Sequence, residues 1–331
     1  MQQSTRLERR IDAAAHRFLA DAPSEGSRAK LVEVGVFLLK QAWACLFGAA
    51  LLVMIVAVRL WYPEDAALAP NDFMTLAAVG IQAIMIATRL ETGRELWVIL
   101  LFHVTGTVME LFKTDVGSWS YAAEGVLRIG AVPLFSGFMY AAVGSYMVRV
   151  YRLFDLGFTR YPRRWLTAIV AALIYANFFT HHFWWDLRWV LLLAVVLLWA
   201  RTVMHVRVWR KVIRMPLLAA FAGVAVFIYL AENIATWAGA WAYPDQLDGW
   251  QPVSITKLVS WFLLMIISVV LVAWVYPPRP PAGVDRRNEP AARAAGAGES
   301  PRVAPRSGTS PEVAPRPGDS PESGRNAVES S

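Results

Sequence analysis

The chain carries the stretch Glu110-Leu-Phe-Lys-Thr-Asp-Val-Gly-Ser-Trp-Ser-Tyr121. The same pattern returns 122 positions later as Glu232-Asn-Ile-Ala-Thr-Trp-Ala-Gly-Ala-Trp-Ala-Tyr243, with Glu, Thr, Gly, Trp and Tyr at identical spacing. Repeats at a fixed offset define the architecture of a chain, and in membrane proteins they often surround a binding site. We therefore expect two equivalent halves that meet around these two segments.

The composition is that of a helical membrane protein. The 331 residues are 56% apolar and only 17% charged, and they include 15 Trp and 16 Phe, which is too apolar for a soluble domain of this length. Because backbone polar groups in lipid must be paired within each span, we predict an all-α, polytopic protein whose main partner is the lipid bilayer. The net charge of +7 comes from residues between the apolar runs, so we expect no nucleic-acid partner.

About eight apolar runs approach the length needed to cross a bilayer, roughly 20 residues. The repeat offset divides them into four plus four, which predicts parallel repeat halves at about 35–152 and 163–277, related by a pseudo-two-fold axis along the membrane normal. The fifth and sixth runs are the shortest, and as a re-entrant hairpin they would reduce the count to six. The predicted spans are 35–60, 73–90, 96–114, 132–149, 165–180, 187–203, 215–237 and 255–276.

The distribution of basic residues predicts the orientation in the membrane, because cytoplasmic loops carry an excess of Lys and Arg. The basic residues that support this orientation are Arg28, Lys30, Lys40, Arg149, Arg152, Arg160, Arg163, Arg164, Arg201, Arg207, Arg210, Lys211 and Arg214. The intervening loops carry Glu64, Asp65, Asp72, Asp245 and Asp248 instead. We predict a multi-pass protein of the bacterial inner membrane with both termini cytoplasmic and both repeat loops facing outward.

Two segments flank the predicted transmembrane domain, which covers 31–277. Residues 1–30 form a basic cytoplasmic lead-in, interpreted either as an amphipathic surface helix or as a plain cytosolic helix. The Pro-, Ala-, Arg- and Ser-rich segment 278–331 contains a repeated decapeptide and is predicted to be a disordered cytoplasmic tail. No cleavage site of a signal peptide separates the basic start from the first apolar run.

Polar residues form one face of the third predicted helix, and their equivalents lie on the seventh. The two sets are His103, Thr107, Glu110 and Thr114, and Ala225, Tyr229, Glu232 and Thr236. An ionisable group in a membrane helix usually faces a cavity or a partner. When two carboxyl groups are neighbours, ionising both is energetically unfavourable. Such pairs are typical of an acid and base pair, a proton relay or an oxygen-rich metal site.

The functional interpretation assigns roles around this pair. Glu110 and Glu232 would be acid and base, and His103 and Tyr229 would orient or tune them. The rim of the cavity would consist of Thr114, Trp119, Tyr121, Thr236, Trp241 and Tyr243. A divalent metal held with help from His181 and His182 is one alternative, although adjacent histidines point to different sides of a helix.

The structural alternative is that these polar groups only hold helices together. In that case Glu110 would pair with Lys113 or Arg128, and Glu232 with Lys257. The chain has no P-loop, G-x-G-x-x-G or G-x-S-x-G motif, so nucleotide-driven transport and serine-hydrolase chemistry have no support.

Several unbroken stretches resemble a bacterial integral-membrane family, domain of unknown function 817, over about residues 35–276. They are 101–113, 117–121, 132–145, 177–182 and 231–236. This resemblance implies a multi-span bacterial membrane protein and implies no particular activity or catalytic residues. More loosely, a glutamate helix followed by an aromatic turn and a Pro-Leu helix is similar to membrane-bound carotenoid hydratases and lycopene cyclases.

Three hypotheses about function follow. The leading one is an enzyme that acts on a lipid-phase or isoprenoid-like substrate through the paired carboxylates. The second is a proton-coupled transporter or channel that uses the same pair. The third is a structural membrane scaffold.

Overall fold

The structure is a computed structural model, and it describes residues 25–91 and 93–281, together with 9–11, 13–14 and 17. Most of the predicted lead-in helix, and the predicted tail from residue 282 onward, lie outside the described residues. Between residues 25 and 281 the chain forms nine α-helices. They are α1 (Gly26–Ala44), α2 (Leu46–Trp61), α3 (Pro70–Ala87), α4 (Gly93–Asp115), α5 (Phe135–Leu153), α6 (Arg164–Thr180), α7 (Arg188–Trp199), α8 (Leu217–Trp237) and α9 (Lys257–Val275).

Every predicted apolar span coincides with a helix or a pair of helices, but fewer of them meet the requirements for crossing a bilayer. Among the described residues, α3, α4 from Glu95 onward, α8 and α9 are long and apolar enough. The pair α1 and α2 qualifies together as a fifth candidate, bent by 67°. The helices α6 and α7 are apolar but have only 17 and 12 residues. Four or five candidate spans therefore suggest a membrane protein, while the eight-span 4+4 arrangement stays a prediction.

The first predicted span is two helices rather than one. Cys45 lies between α1 and α2 with φ −78° and ψ 0°, outside the regular helical conformation. The predicted span 35–60 therefore contains a break, and no residue type at this position signals it.

Two short antiparallel sheets were not expected from the sequence. Strands β1 (Arg128–Ile129) and β2 (Val132–Pro133) pair before α5. The other sheet has the order β3-β4-β5, formed by Gly157–Thr159, Val203–Arg207 and Val212–Pro216. The basic segment after α7 is thus a β-hairpin, in which Val203 pairs with Pro216 and Arg207 with Val212. Because β5 leads directly into α8, this sheet and the second repeat loop lie at opposite ends of α8.

Two of the arginines on which the predicted orientation depends are buried in ion pairs. The side chain of Arg149 is 1% exposed and lies 3.5 Å from a carboxylate oxygen of Glu91. Arg152 pairs with Glu95 next to it. These pairs join the end of α5 to the start of α4. Their guanidinium charges are compensated inside the protein, so they carry less weight for orientation than solvent-exposed basic residues.

The buried core surrounds α9, while apolar side chains cover much of the surface. Ile266 and Val272 of α9 are completely buried, as is Trp199 of α7. In contrast, Phe227 of α8 is 59% exposed and Leu197 of α7 is 70% exposed. Large apolar side chains exposed along helices are unusual for a soluble protein and fit a hydrocarbon surrounding.

Candidate functional site

The two repeat segments adopt the same backbone structure. Each begins near the end of a helix, α4 or α8, and each helix is closed by a glycine in the left-handed region, with φ +71° at Gly117 and φ +76° at Gly239. The amide of Ser118 donates to the carbonyl of Lys113, and the amide of Ala240 donates to that of Ala235, at 2.9 and 3.0 Å. This is the helix-ending motif in which a left-handed glycine satisfies the last carbonyl groups.

The two repeat loops also pair with each other. Ser120 donates its amide hydrogen to the carbonyl of Ala242 at 2.9 Å, and Ala242 donates to Ser120 at 3.0 Å. Ser120 and Ala242 are equivalent positions of the two repeat segments. A reciprocal bond between equivalent residues places a local two-fold axis between the two loops.

Glu110 is 3% exposed and accepts hydrogen bonds from three neutral donors. Trp119 Nε1 and the Tyr121 hydroxyl donate to Oε2, each at 2.8 Å. The Tyr140 hydroxyl donates to Oε1 at 2.8 Å. Burial, and then the nearby Glu110 carboxyl, raise the pKa of Tyr121 well above its usual range, so its hydroxyl remains a donor. The side chain of Glu110 is therefore held in one orientation without an ion pair.

Glu232 has a related set of partners. It is also 3% exposed, and it accepts hydrogen bonds from the Tyr243 hydroxyl on Oε1 and from Trp261 Nε1 on Oε2. Burial, together with the neighbouring Glu232, raises the pKa of Tyr243 well above its usual range. In both glutamates one carboxylate oxygen thus accepts from an indole and the other from a phenol.

The aromatic donors connect the two glutamates. The ring of Trp119, which binds Glu110, lies 6.1 Å from the ring of Tyr243, which binds Glu232, in an edge-to-face arrangement. The two carboxyl groups are therefore linked through two packed rings, and both face the same cavity.

Close packing of α4 and α5 brings Tyr140 to Glu110. A Cβ atom on Gly106, one helical turn before Glu110, would overlap the ring of Tyr140. On the facing helix, a Cβ atom on Gly137 would lie 2.6 Å from His103 and 2.9 Å from the Thr107 hydroxyl. Small residues that allow helix backbones to approach are typical of membrane helix interfaces.

The cavity in front of the two glutamates has a volume of about 1100 Å³ and is mostly apolar. It follows α8 from Leu217 to Ala235, and its other walls come from α1, α2, α4, α5, α6, α9 and the three-stranded sheet. Polar and charged side chains are concentrated toward the repeat loops. They are Glu110, Lys113, Ser118, His181, His182, Asp186, Arg188, Glu232 and Lys257, with the aromatic groups Trp119, Tyr121, Tyr140, Trp241, Tyr243 and Trp261.

The basic residues predicted as partners of the glutamates have other contacts. Lys113 Nζ lies 2.6 Å from His182 Nε2 and 4.1 Å from the centre of the Phe178 ring. Lys257 Nζ lies 4.0 Å from the centre of the Tyr243 ring. Arg128 donates to backbone carbonyl groups of its own loop. The predicted pairings of Glu110 with Lys113 or Arg128 are therefore absent from the hydrogen bonds and ion pairs of the described residues. Glu232 and Lys257 interact electrostatically but form no ion pair within 4.0 Å in this part of the chain.

His181 and His182 lie at the end of α6 and contact Lys113 rather than the glutamates. Partial burial, and then the positive charge of Lys113, lower the pKa of His182 to about 4. Its ring is neutral at neutral pH, and Nε2 accepts a hydrogen bond from the Lys113 ammonium. Across the described residues no group of three or more His, Cys, Asp or Glu side chains is arranged to hold a metal ion. A metal site that includes these histidines thus gains no support.

Other predicted site residues lie outside the cavity walls. His103 packs edge-to-face on the ring of Phe138, with 4.8 Å between ring centres. The Tyr229 hydroxyl donates to the carbonyl of Val253 at 2.6 Å, which attaches the segment before α9 to α8. Thr114 and Thr236 donate to the backbone carbonyl groups of Glu110 and Glu232, at 2.8 and 3.0 Å. Of the predicted rim, Trp119, Tyr121, Trp241 and Tyr243 line the cavity.

Sequence reasoning missed Tyr140 and Trp261, the donors from the following helices. At the 122-residue offset Tyr140 corresponds to Phe262, and Trp261 is the residue before it, so the two donors occupy adjacent rather than identical positions of the repeat. A search for matched positions therefore overlooks them. The sequence signal that could have indicated Tyr140 is Gly106, since a glycine inside a helix often marks a position where a neighbouring helix approaches closely.

Comparison with known proteins finds one solved structure of limited similarity. A crystal structure of a cross-linked trimer of the protein MvINS covers 57% of this chain and 98% of its own, with 16% identity and a TM-score of 0.40. A similarity this low supports no argument about fold or function.

Sequence comparisons are much stronger. The uncharacterized protein YoaT of Bacillus subtilis (strain 168) is 42% identical over 234 residues, which is 71% of this chain and 88% of that protein. A family model described as "Protein of unknown function (DUF817)" matches residues 33–269. The predicted family resemblance is confirmed, and the chain belongs to the DUF817 family.

Proposed function

We propose that this protein binds a lipid-phase, isoprenoid-like molecule in its cavity and that Glu110 and Glu232 exchange protons with it. One observation carries the proposal: two buried glutamates face a single apolar cavity of about 1100 Å³. Ligand pockets typically have volumes of roughly 300–1000 Å³ and contain a few placed polar groups among apolar walls.

The shape and lining of the cavity support a long hydrocarbon ligand. The cavity follows α8 from Leu217 to Ala235, which is about 27 Å at the usual rise per residue. Away from the repeat loops its walls are mostly apolar, with side chains such as Leu51 and Phe221. The polar side chains at that end are Gln41, Tyr146, Tyr151 and Tyr161. A lipid-phase molecule would replace water there and gain the free energy of burying apolar surface.

The surroundings of the two carboxyl groups support different roles in proton transfer. Glu110 has three neutral donors, whereas Glu232 has two donors and Lys257 close to the ring of its partner Tyr243. Two carboxyl groups in unequal environments hold protons with unequal strength, which suits one acid and one base. Adding and removing a proton at a double bond is chemistry that such a pair performs in a water-poor site.

Deuterium exchange tests this proposal. The full-length protein in lipid nanodiscs would be incubated in D₂O with a lipid extract of its host membrane, and lipids would be analysed by mass spectrometry. We expect deuterium in one lipid class with the wild type, and its loss with Glu110→Gln, with Glu232→Gln and with the double variant. Glu64→Gln serves as control because Glu64 is an exposed residue of the α2–α3 connection. Incorporation that persists in the double variant would refute the proposal.

The second candidate function is a proton-coupled transporter. It is favoured by the extent of the cavity, which reaches from Leu217 at the sheet end of α8 to the repeat loops. This candidate predicts no deuterium in any lipid, and instead substrate flux in proteoliposomes that follows a pH gradient and stops in the double Gln variant.

A further inference from the structure

We propose that the ligand of this cavity carries an anionic head group, a carboxylate or a phosphate, which Lys113 and Lys257 bind. The inference rests on the proposed function because it concerns the same cavity, and it adds the charge and the direction of the ligand. It follows from counting the hydrogen-bond donors and acceptors at the repeat-loop end of the cavity.

Lys113 is a buried ammonium group without a carboxylate partner. Its side chain is on α4, the residue is 3% exposed, and Nζ lies 2.6 Å from His182 Nε2 and 3.5 Å from His181 Nε2. Within residues 25–91 and 93–281, no carboxylate oxygen is within 4.0 Å of this ammonium. Imidazoles and the Phe178 ring therefore surround an amino group whose charged form is normally paired when it is buried.

Lys257 on α9 interacts electrostatically with Glu232, but in the described part of the chain the two groups form no ion pair within 4.0 Å. Its Nζ lies 4.0 Å from the centre of the Tyr243 ring and 6.0 Å from that of Trp119. Throughout the described residues this ammonium makes no hydrogen bond to a protein acceptor. A lysine ammonium has three donor hydrogens and no acceptor, so Lys257 has all three available and Lys113 has one beyond its two histidine contacts.

The acidic groups of the cavity are already engaged elsewhere. Glu110 accepts three hydrogen bonds and Glu232 accepts two, all from neutral Tyr and Trp donors. Glu232 also interacts electrostatically with Lys257. Asp186 forms an ion pair with Arg188. The unsatisfied groups are therefore donors rather than acceptors. A ligand group that complements them must accept hydrogen bonds, and an anion does so most strongly beside an ammonium.

The order of the groups along the helices gives the ligand a direction. Lys113 lies three residues beyond Glu110 toward the repeat loop, and Lys257 lies four residues before Trp261, which binds Glu232. The backbone positions of Lys113 and Lys257 are thus about one helical turn closer to the repeat loops than those of Glu110 and Trp261. The apolar part of the cavity continues in the opposite direction, toward Leu217. An anionic head at the lysines would place the first part of the hydrocarbon chain beside the glutamates.

Binding of defined amphiphiles to the full chain in detergent tests this inference. The probes are hexadecyl phosphate, hexadecanoate, hexadecanol and inorganic phosphate, and affinity is read from tryptophan fluorescence, since Trp119, Trp241 and Trp261 line the cavity. We expect the two anionic amphiphiles to bind at least about tenfold more tightly than hexadecanol, because they can pair with the buried ammonium groups. Inorganic phosphate alone should bind far more weakly, because it fills none of the apolar cavity.

Substitutions identify the residues responsible. Lys113→Met and Lys257→Met should each weaken binding of the anionic amphiphiles by roughly tenfold or more and leave hexadecanol unchanged. Lys113→Arg keeps the charge and should retain most of the affinity, which separates loss of charge from misfolding. Lys211→Met is the matched control, since Lys211 is an exposed lysine of the β4–β5 turn.

The outcomes separate this inference from the proposed function. Hexadecanol that binds as tightly as the anionic probes, or Met variants that bind like the wild type, would overturn it. If inorganic phosphate binds as tightly as hexadecyl phosphate, the ligand is a soluble anion, and the conclusion that it is an amphiphile is wrong. The Glu110→Gln and Glu232→Gln variants should still bind the anionic probes. If they also keep deuterium incorporation, the acid–base proposal fails while the anion site stands.

Discussion

Each of the two buried glutamates is held by aromatic side chains that donate neutral hydrogen bonds. Such donors orient a carboxyl group without neutralising it, whereas an ion pair would consume its charge. Glu110 and Glu232 both show this arrangement, and the lysines in the same cavity contact imidazole or aromatic rings. Among the described residues the hydrogen bonds to both glutamates thus come from neutral donors, and Lys257 interacts with Glu232 only electrostatically.

Removing one donor should cost little, because the others remain. Tyr140→Phe eliminates the 2.8 Å bond to Glu110 Oε1 and leaves those from Trp119 and Tyr121. We expect a loss of about 1 kcal/mol in the free energy of unfolding, the usual contribution of one such bond. The measurement is thermal unfolding in detergent, with Tyr62→Phe as control, since the Tyr62 hydroxyl bonds a carbonyl at an exposed site. An equal effect of both substitutions would contradict the assignment.

The contact between His182 and Lys113 predicts a dependence of stability on pH. The pKa of His182 is lowered to about 4 by partial burial and by Lys113, while an unfolded histidine has a pKa of about 6.5. The unfolded state therefore binds more protons between these values, so stability is full above pH 6.5 and falls as the pH is lowered toward 4.

This dependence is measured as the melting temperature of the wild type and of His182→Gln between about pH 7.5 and 4.5, a range that spans the unfolded pKa. The wild type should lose more stability than the variant over this range, because glutamine does not titrate. The groups that face His182 are Ser118, His181, Lys113 and Lys257. Parallel curves for the two proteins would show that His182 titrates normally.

The contact between α4 and α5 is the element that shapes one side of the site. It depends on glycines on both helices: Gly106 faces Tyr140, Gly137 faces His103, and Gly144 faces Phe102. Where a glycine sits under a large ring, the ring can cross the partner helix and reach groups beyond it. Tyr140 reaches Glu110 in this way.

A methyl group at Gly106 should therefore disturb the site as well as the packing. Gly106→Ala would place Cβ within the Tyr140 ring, so the ring must move away from Glu110 or the helices must separate. We expect a loss of about 1–3 kcal/mol in stability, typical of overpacking. Gly80→Ala is the control, because nothing lies within 4 Å of a Cβ atom there. Similar melting temperatures for both variants would show that α4 and α5 are not tightly packed at Gly106.

At the scale of the molecule, the two repeat loops meet at equivalent residues. The reciprocal bonds between Ser120 and Ala242 join α4 to α8 through their loops, and the cavity lies beneath this junction. Proteins with internal repeats often place their sites between the halves, and the two glutamates share one cavity because of this junction.

Chemical cross-linking tests this junction in a membrane. Residues opposite each other in a hydrogen-bonded antiparallel pair have Cα atoms about 5.5 Å apart, within the range for a disulfide. With Cys45→Ala to remove the single native thiol, the pair Ser120→Cys and Ala242→Cys should form an intramolecular disulfide that mass spectrometry detects as linked peptides.

The control for this experiment combines Ser120→Cys with Ile255→Cys in the same Cys45→Ala background. Ile255 is exposed and lies 13 positions beyond Ala242, outside the paired loops. We expect little or no linkage of the control pair. No linkage of the first pair, or equal linkage of both, would contradict the observed loop pairing.

Much of the helical arrangement was predictable, because apolar runs must form helices in lipid. All eight predicted runs are helical, and the repeat segments end their helices at Gly117 and Gly239, where a left-handed residue is needed. The break at Cys45 and the strands β3 to β5 were not predictable. The break at Cys45 changes only a few backbone angles, which does not alter the hydropathy of the sequence. The β4–β5 hairpin is rich in basic residues, and its sequence resembles that of an ordinary cytoplasmic loop.

The sequence by itself determined the family, the helical class and the equivalence of Glu110 and Glu232 within the repeated segment, because these depend on residue type and spacing along the chain. Only the tertiary structure decided which groups touch those glutamates. Tyr140 and Trp261 replaced the predicted His103 and Tyr229, and the lysines turned toward rings and histidines. The physical reason is that the position of a residue on a helical face specifies only the direction of its side chain. Which group the side chain contacts in that direction depends on how closely the neighbouring helices approach.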